Sequence, residues 1–115
     1  MDDQERRRDT RMRISLPTAR IRYGQPESVE MVDASYRGLF VIMHEPPPVR
    51  ELVKLQVELP SGPLELHAVV VRIVEDHLGR PGVGLRFFAL DGQPRATWEQ
   101  FIRSALSSPR SARAA

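Results

Sequence analysis

The feature that most limits the fold is a series of short apolar stretches separated by proline and glycine. In residues 52–59 every second side chain from residue 53 onward is apolar. These side chains are Val53, Leu55, Val57 and Leu59. Such alternation places apolar groups on one face of an extended strand, whereas a helix would repeat every 3.6 residues. Prolines at 46–48 and the turn residues at 60–63 interrupt regular hydrogen bonding on both sides. The pattern predicts a half-buried β-strand.

Further segments have strand character and are also bounded by turn residues. They are residues 18–23, 28–33, 38–43, 64–74 and 83–88. Segment 38–43 is apolar almost throughout, and its short length favours a buried strand over a helix. In segment 28–33 we expect Val29 and Met31 on one face, with Asp33 next along that face. About six short strands in one small chain need a closed or nearly closed barrel to cover their edges.

After Asp91 the apolar period changes to that of a helix. Asp91 or Gln93 is suited to begin it, with Pro94 near its first turn. An apolar stripe then follows at the spacing i, i+3, i+4 and i+8, formed by Trp98, Phe101, Ile102 and Leu106. We expect this helix to close one opening of the barrel or to pack on its outer wall. The predicted fold class is mainly β, a six-stranded antiparallel β-barrel with a C-terminal α-helix.

The chain of 115 residues has the length of one domain. Residues 1–13 are charged and aperiodic, which predicts a flexible arginine-rich arm. Residues 14–106 are predicted to form the barrel and helix, and residues 107–115 a disordered tail. We therefore expect a stand-alone single-domain protein, as a monomer or homodimer.

Composition excludes several classes of site. The absence of cysteine rules out disulfides and thiolate metal ligands. No apolar run approaches the roughly 20 residues of a membrane span, and the first residues lack the apolar core of a signal peptide. His44, His67 and His77 have no partner at catalytic or ligand spacing, and no nucleophile elbow or phosphate-binding glycine loop is present. We expect a cytoplasmic protein without membrane insertion, and neither an enzyme nor a metal or cofactor site.

Arginine supplies nearly all of the positive charge, since Lys54 is the one lysine among 17 Lys and Arg residues. A GC-rich genome would produce this bias, and so would a need for planar donors that suit phosphate and guanine. The arginines crowd in the arm at positions 6, 7, 8, 11 and 13. Arg7 and Arg11 have the spacing Arg-x-x-x-Arg, which alone also fits a merely solvated tail.

A second motif, Asp-x-Ser-x-x-Gly, runs from Asp33 to Gly38. Alone it fits an Asx-turn in which Gly38 provides a positive φ. Together with the arginine pair, the stretch Val83-Gly84-Leu85-Arg86-Phe87 and the helix that follows, it resembles the PilZ domain, a receptor family for cyclic di-GMP. The resemblance extends over nearly the whole chain, from about residue 5 to residue 106.

The resemblance implies a ligand site, whose members would be Arg7, Arg8, Arg11, Asp33, Ser35 and Gly38. Arginine forms bidentate pairs with guanine and with phosphate. A carboxylate accepts hydrogen bonds from guanine N1–H and the 2-amino group, so Asp33 would help to reject cyclic di-AMP. Ser35 offers a hydroxyl to base or phosphate, and Gly38 would let the backbone approach the ligand closely.

Possible additional contacts are Arg6, Arg37 and Gly84. In relatives, an arginine at the position of Arg6 accompanies an intercalated pair of ligand molecules, so Arg6 is a candidate for a 2:1 complex. Arg37 stands where many family members have glycine, so the backbone conformation at this position need not match theirs.

The predicted function is that of a cyclic di-GMP receptor without catalysis. The arm would order over the ligand, and an unidentified partner protein in motility, exopolysaccharide export or another surface process would bind the new surface. One alternative is a PilZ-fold interaction module that no longer binds nucleotide. The other is a nucleic-acid-binding barrel, which the sequence disfavours because only 6% of residues are aromatic and Phe40, Phe87 and Phe88 lie in apolar runs expected to be buried.

Overall fold

The computed structural model describes residues 10–76 and 78–107. In chain order its elements are β1 (Met12–Arg13), β2 (Pro17–Arg22), β3 (Gln25–Ala34), β4 (Gly38–Ile42), β5 (Leu52–Leu59), β6 (Gly62–Glu75), β7 (Pro81–Phe87) and α1 (Gly92–Ser107). Among the described residues there is no helix with the length and apolar character that a membrane span requires.

The longer strands form a closed antiparallel barrel. Their order is β3-β2-β5-β6-β7-β4, and β4 pairs back to β3, so the six strands make a ring. Closure leaves no unpaired strand edge in the ring, which is the solution that several short strands require. The fold class predicted from the sequence is therefore confirmed. The two-residue strand β1 is an addition that pairs with β3 outside this ring.

Alternating side chains fill the barrel. On β5 all four residues of the predicted apolar face are buried, and the observed bounds of the strand agree with the predicted ones. Neighbouring strands contribute further buried residues, among them Leu39, Val41, Leu66, Val70 and Leu85. Each such side chain contributes roughly 1.5–3 kcal/mol through its removal from water. Strands β3 and β6 are longer than predicted, because pairing continues to the turn, as in the pair Leu59 with Gly62, whereas β4 ends one residue earlier than predicted, at Ile42.

The alternation on β3 is broken by an irregularity between Met31 and Asp33 in its pairing with β4. An extra residue on one strand of a pair reverses the order of inward and outward side chains beyond it. Met31 and Ala34 are both buried as a result, whereas Asp33 faces outward beside Phe40. The expectation that Asp33 continues the face of Val29 and Met31 is therefore wrong.

Helix α1 packs at the end of the barrel where β3 and β7 finish, with Trp98, Ile102 and Ala105 buried. The predicted stripe included Leu106, which is 38% exposed. At 3.6 residues per turn, position i+8 lies about 80° away from position i, whereas i+7 lies about 20° away. The stripe therefore continues through Ala105, and the sequence prediction was wrong at its last member.

Several predicted boundaries at the chain ends and loops also change. Met12 and Arg13, assigned to the arm, form β1 because they pair with Ala34 and Asp33. Ser107, assigned to the tail, is the last residue of α1. Phe88 follows β7 and is 55% exposed, so it does not belong to the buried run. His77, the rest of the tail and the first nine residues lie outside the described residues, and the flexibility expected of arm and tail stays a prediction.

The opposite end of the barrel holds a buried arginine. Arg20 on β2 pairs with Leu55 of β5 and, like it, is buried, with 3% of its surface exposed. Its Nη2 donates to the backbone carbonyl of His44 at 2.6 Å, and its Nη1 donates to that of Glu45 at 3.0 Å. Its Nε and Nη2 also donate to Glu27 Oε1 at 3.4 and 3.3 Å. The guanidinium therefore ties the segment after β4 to β2 and β3.

Replacement of Arg20 should destabilise the barrel. In Arg20→Met the carbonyls of residues 44 and 45 lose their donors, and we expect the free energy of unfolding to fall by about 1–3 kcal/mol. Urea denaturation measures this change. Arg50→Met, at an exposed position, is the control and should leave stability within about 0.5 kcal/mol of wild type. Equal stability of the two variants would contradict a structural role for Arg20.

Two carboxyl groups that form ion pairs with arginine, those of Glu27 and Asp76, have lowered pKa values. Partial desolvation raises the pKa of Glu27, but hydrogen bonds from Arg22 and Arg20 outweigh it, so its pKa lies below the ordinary value. Desolvation likewise raises the pKa of Asp76, and hydrogen bonds from Arg80 and the amide of Leu78 bring it below its usual range. Both groups therefore stabilise the fold most in their ionised form.

The lowered pKa values of Glu27 and Asp76 predict that the fold loses stability in acid. A carboxyl whose pKa is lower in the folded state contributes fully above its unfolded pKa, about 4, and loses that contribution as pH falls toward the folded pKa. We expect the free energy of unfolding to decrease between about pH 5 and pH 3. Urea denaturation at several pH values in this range should show that the free energy of unfolding decreases less for Glu27→Gln than for the wild type. An unchanged slope would mean that Glu27 titrates alike in both states.

Candidate functional site

Arg11 and Asp33, one residue of each predicted motif, meet on the outer wall of the barrel. Pairing of β1 with β3 brings Arg11, the residue just before β1, beside Asp33, which the irregularity in β3 turns outward. Arg11 Nη1 donates to Asp33 Oδ1 at 2.7 Å, across 22 positions of sequence. Their side chains are 39% and 22% exposed, so the pair is accessible from solvent.

Residues 35–38 form a tight loop directly after Asp33 and Ala34. The amide of Ser35 donates to the carbonyl of Gly38 at 3.0 Å. The amide of Arg37 donates to Ser35 Oγ at 3.3 Å, as in a turn stabilised by a serine side chain. Ser35 is buried, and its hydroxyl serves this turn. The turn-forming role that the sequence suggested for this motif therefore falls on Ser35.

Gly38 is required for strand packing. The sequence suggested a positive φ at Gly38, but its φ is not in the left-handed region, so this prediction is wrong. Gly38 pairs with Arg86 at the start of the β4–β7 ladder, and a Cβ on Gly38 would collide with the carbonyl oxygen of Leu85. Glycine is needed because the backbone of β7 lies where any side chain would begin.

Helix α1 supports the loop from the end of the barrel that it covers. Trp98 is fully buried, and its Nε1 donates to the backbone carbonyl of Ser35 at 3.0 Å. Its ring makes an edge contact with Phe87, with centroids 5.2 Å apart, and a tilted contact with Phe101 at 5.7 Å. The sequence placed Trp98 correctly in the helix core. It missed the hydrogen bond, although a buried indole N–H usually has a partner.

Arg72 occupies the outer wall on the far side of Phe40 from Asp33. Phe40 pairs with Asp33 on β3 and with Gly84 on β7, and Gly84 in turn pairs with Arg72. The Arg72 guanidinium lies 5.4 Å from the centroid of the Phe40 ring, a cation–π distance. Gly84 is buried, and a Cβ there would stand 2.9 Å from Arg72 Cγ. Sequence analysis named Gly84 and missed Arg72, which covers it.

The remaining predicted residues have different positions. Arg37 lies half-buried in the loop, and its carbonyl accepts a hydrogen bond from the amide of Phe87 at 2.8 Å. Arg6, Arg7 and Arg8 lie outside the described residues. Of the predicted ligand set, the structure thus brings together Arg11, Asp33, Ser35 and Gly38. Within the described residues, no group of acidic or histidine side chains has the arrangement of a metal site.

The described residues thus form a six-stranded barrel with a C-terminal helix, and Arg11 lies beside Asp33 of the second motif. The family model described as PilZ domain matches residues 5–104. The chain belongs to the PilZ family. A search of curated proteins gave no match.

Solved structures show the same fold. The PilZ domain of YcgR from Escherichia coli, determined with c-di-GMP, has a TM-score of 0.68 and 16% identity, with 92% of this chain and 95% of that chain covered. The Bacillus subtilis inhibitor of motility MotI (DgrA) has a TM-score of 0.69 and 20% identity, with 85% and 50% covered. MrkH, described as a c-di-GMP-dependent transcription regulatory factor, has a TM-score of 0.69 and 16% identity, with 89% and 52% covered. The chain thus spans about half of MotI and MrkH.

Loss of the Trp98 hydrogen bond should loosen the loop. In Trp98→Phe the carbonyl of Ser35 keeps no donor from the helix, which costs about 1–3 kcal/mol when a buried acceptor stays unpaired. We expect faster amide hydrogen exchange at Ser35 and Phe87, whose N–H groups bond within or to the loop. Phe101→Leu, which changes a ring that touches Trp98 but spares the hydrogen bond, is the control. Equal exchange in both variants would contradict support by the indole N–H.

Proposed function

We propose that this protein is a cyclic di-GMP receptor that acts by binding and carries out no chemistry on the nucleotide. Membership of the PilZ family supports the ligand class. The observation that carries the proposal for this chain is the contact of Arg11 with Asp33 beside the loop of residues 35–38. This contact joins, on one accessible face, a residue from each of the two motifs that the family resemblance links to the nucleotide.

The chemistry of the pair suits a guanine nucleotide. The Asp33 carboxylate can accept from guanine N1–H and from the 2-amino group, while Arg11 can donate to guanine O6 and N7 or to a phosphate. A half-exposed ion pair of this kind contributes only about 0–1 kcal/mol. Each charge-assisted bond to a ligand contributes about 1.5–3 kcal/mol, so the ligand can replace the pair with a net gain.

The proposal assigns Arg7 and Arg8 to the same ligand, and Arg6 to a second ligand molecule in a 2:1 complex. Ordering the arm over the nucleotide costs about 1–2 kcal/mol per residue, which several arginine contacts must offset. Ser35 and Gly38 would shape the loop under the ligand. Arg37 would lie at its margin.

The proposed output is a changed surface. Arm, nucleotide and barrel together would form a face that an unidentified partner protein binds, in the cytoplasm, with the receptor as a monomer or homodimer. The printed description of MotI as an inhibitor of motility makes motility the process to examine first. Nucleic acid is disfavoured as the ligand, because Phe40 lies under Arg72, which covers this ring against base stacking.

Calorimetric titration with cyclic di-GMP tests the proposal. We expect binding at tens of micromolar or below, loss of at least tenfold in affinity for Arg11→Ala, and reduced preference over cyclic di-AMP for Asp33→Asn, because the carboxylate pairs with the guanine 2-amino group. The matched control Arg50→Ala should bind as wild type does. Absence of heat and of a thermal shift at these concentrations would refute the receptor function and favour a PilZ-fold interaction module.

A further inference from the structure

A second concave site lies between the loop of residues 35–38, the end of β7 and one face of α1. It is a cavity of about 860 Å³. Its walls include four arginines and two aromatic side chains, namely Arg37, Arg86, Arg95, Arg103, Tyr36 and Phe87. A volume of this size falls within the range of about 300–1,000 Å³ that is common for small-molecule sites.

Positive charge exceeds negative charge around this cavity. Asp91 and Glu99 are the acidic residues of its wall. Glu99 is held by Arg95, whose Nε lies 3.1 Å from Glu99 Oε2. Across residues 10–76 and 78–107, neither Arg86 nor Arg103 has a carboxylate within ion-pair distance.

Unbalanced arginines around a concavity have a physical consequence. Mutually repelling cations gain by taking up an anion, and a cleft with low-dielectric walls concentrates their field. Arginine presents planar donors that match a phosphate group in bidentate fashion. The guanidinium groups thus select the charge of a ligand, and the rings of Tyr36 and Phe87 add apolar surface for its organic part.

The cavity is separate from the face that holds Arg11 and Asp33. Neither of these residues lines it, and Ser35 does not line it either. The two sites share the loop backbone, since Tyr36 and Arg37 lie between Ser35 and Gly38. A ligand in the cavity would therefore meet Arg86, Arg95 and Arg103, which are not assigned to the ligand at the paired motifs.

We infer that the cavity beside α1 is a second binding site, for a phosphate-bearing small molecule with a planar ring. Arg86 and Arg103 bind the phosphate, and the aromatic wall accommodates the ring. This inference does not depend on cyclic di-GMP binding at the motif face.

An NMR titration with guanosine monophosphate as the probe tests it, with guanosine as the matched ligand that lacks phosphate. We expect the nucleotide to shift the amide signals of residues 36–37, 86–87 and 95–103, and guanosine to shift them far less. The Arg11→Ala protein, with its motif pair removed, should bind the nucleotide with unchanged affinity. This variant separates the inference from the proposed function, since each can fail while the other holds.

Variants of the cavity wall complete the test. Arg86→Gln and Arg103→Gln should each weaken binding about tenfold, as expected for one arginine–phosphate contact. Arg103 lies on an exposed part of α1, so its replacement spares the fold. Arg50→Gln makes the same charge change outside the cavity and should leave binding as in wild type. The inference would be overturned if the nucleotide shifted none of these amide signals, or if Arg50→Gln weakened its binding as much as the wall variants do. It would also be overturned if neither wall variant weakened binding, or if Arg11→Ala abolished it.

Discussion

The irregularity in β3 is the constraint on which both the core and the candidate site depend. β3 pairs with β1, β2 and β4, and must bend to close the ring. An extra residue between Met31 and Asp33 supplies that bend and reverses the alternation. The core thereby keeps Met31 and Ala34, while Asp33 is turned to the outer wall to meet Arg11. A regular β3 would direct Asp33 toward the apolar interior, where an unpaired carboxylate is strongly disfavoured.

The two ends of the barrel are closed by different kinds of interaction. At one end α1 buries Trp98, and the same side chain donates to the carbonyl of Ser35, so packing and loop geometry are joined in one residue. At the other end Arg20 donates to the carbonyls of His44 and Glu45. The first closure is mainly hydrophobic and positions the loop of residues 35–38. The second is polar and lies away from it. The site thus rests on the helix, which explains why loop geometry and helix packing should change together.

Sequence patterns predicted what depends on local order and missed what depends on distant partners. Alternation gave the bounds of β5, and the resemblance to the PilZ family implied that Arg11 and Asp33 belong to one site. The turn of Asp33 outward could not be predicted, because it follows from register with β4. The need for glycine at Gly38 comes from the carbonyl of Leu85, far away in sequence. Arg72 was missed for the same reason, since the pairing of β6 with β7 places it over Phe40.

Arg11 and Arg20 show how burial decides the role of the same side chain. Arg20 is buried and donates to two carbonyls and a carboxylate, so its removal leaves acceptors without donors. Arg11 is partly exposed and donates to Asp33, a pair that water or a ligand can replace at little cost. The proposed receptor function uses both kinds of arginine. The fixed one maintains the barrel, and the replaceable one would let the contact of Arg11 with Asp33 give way to a ligand.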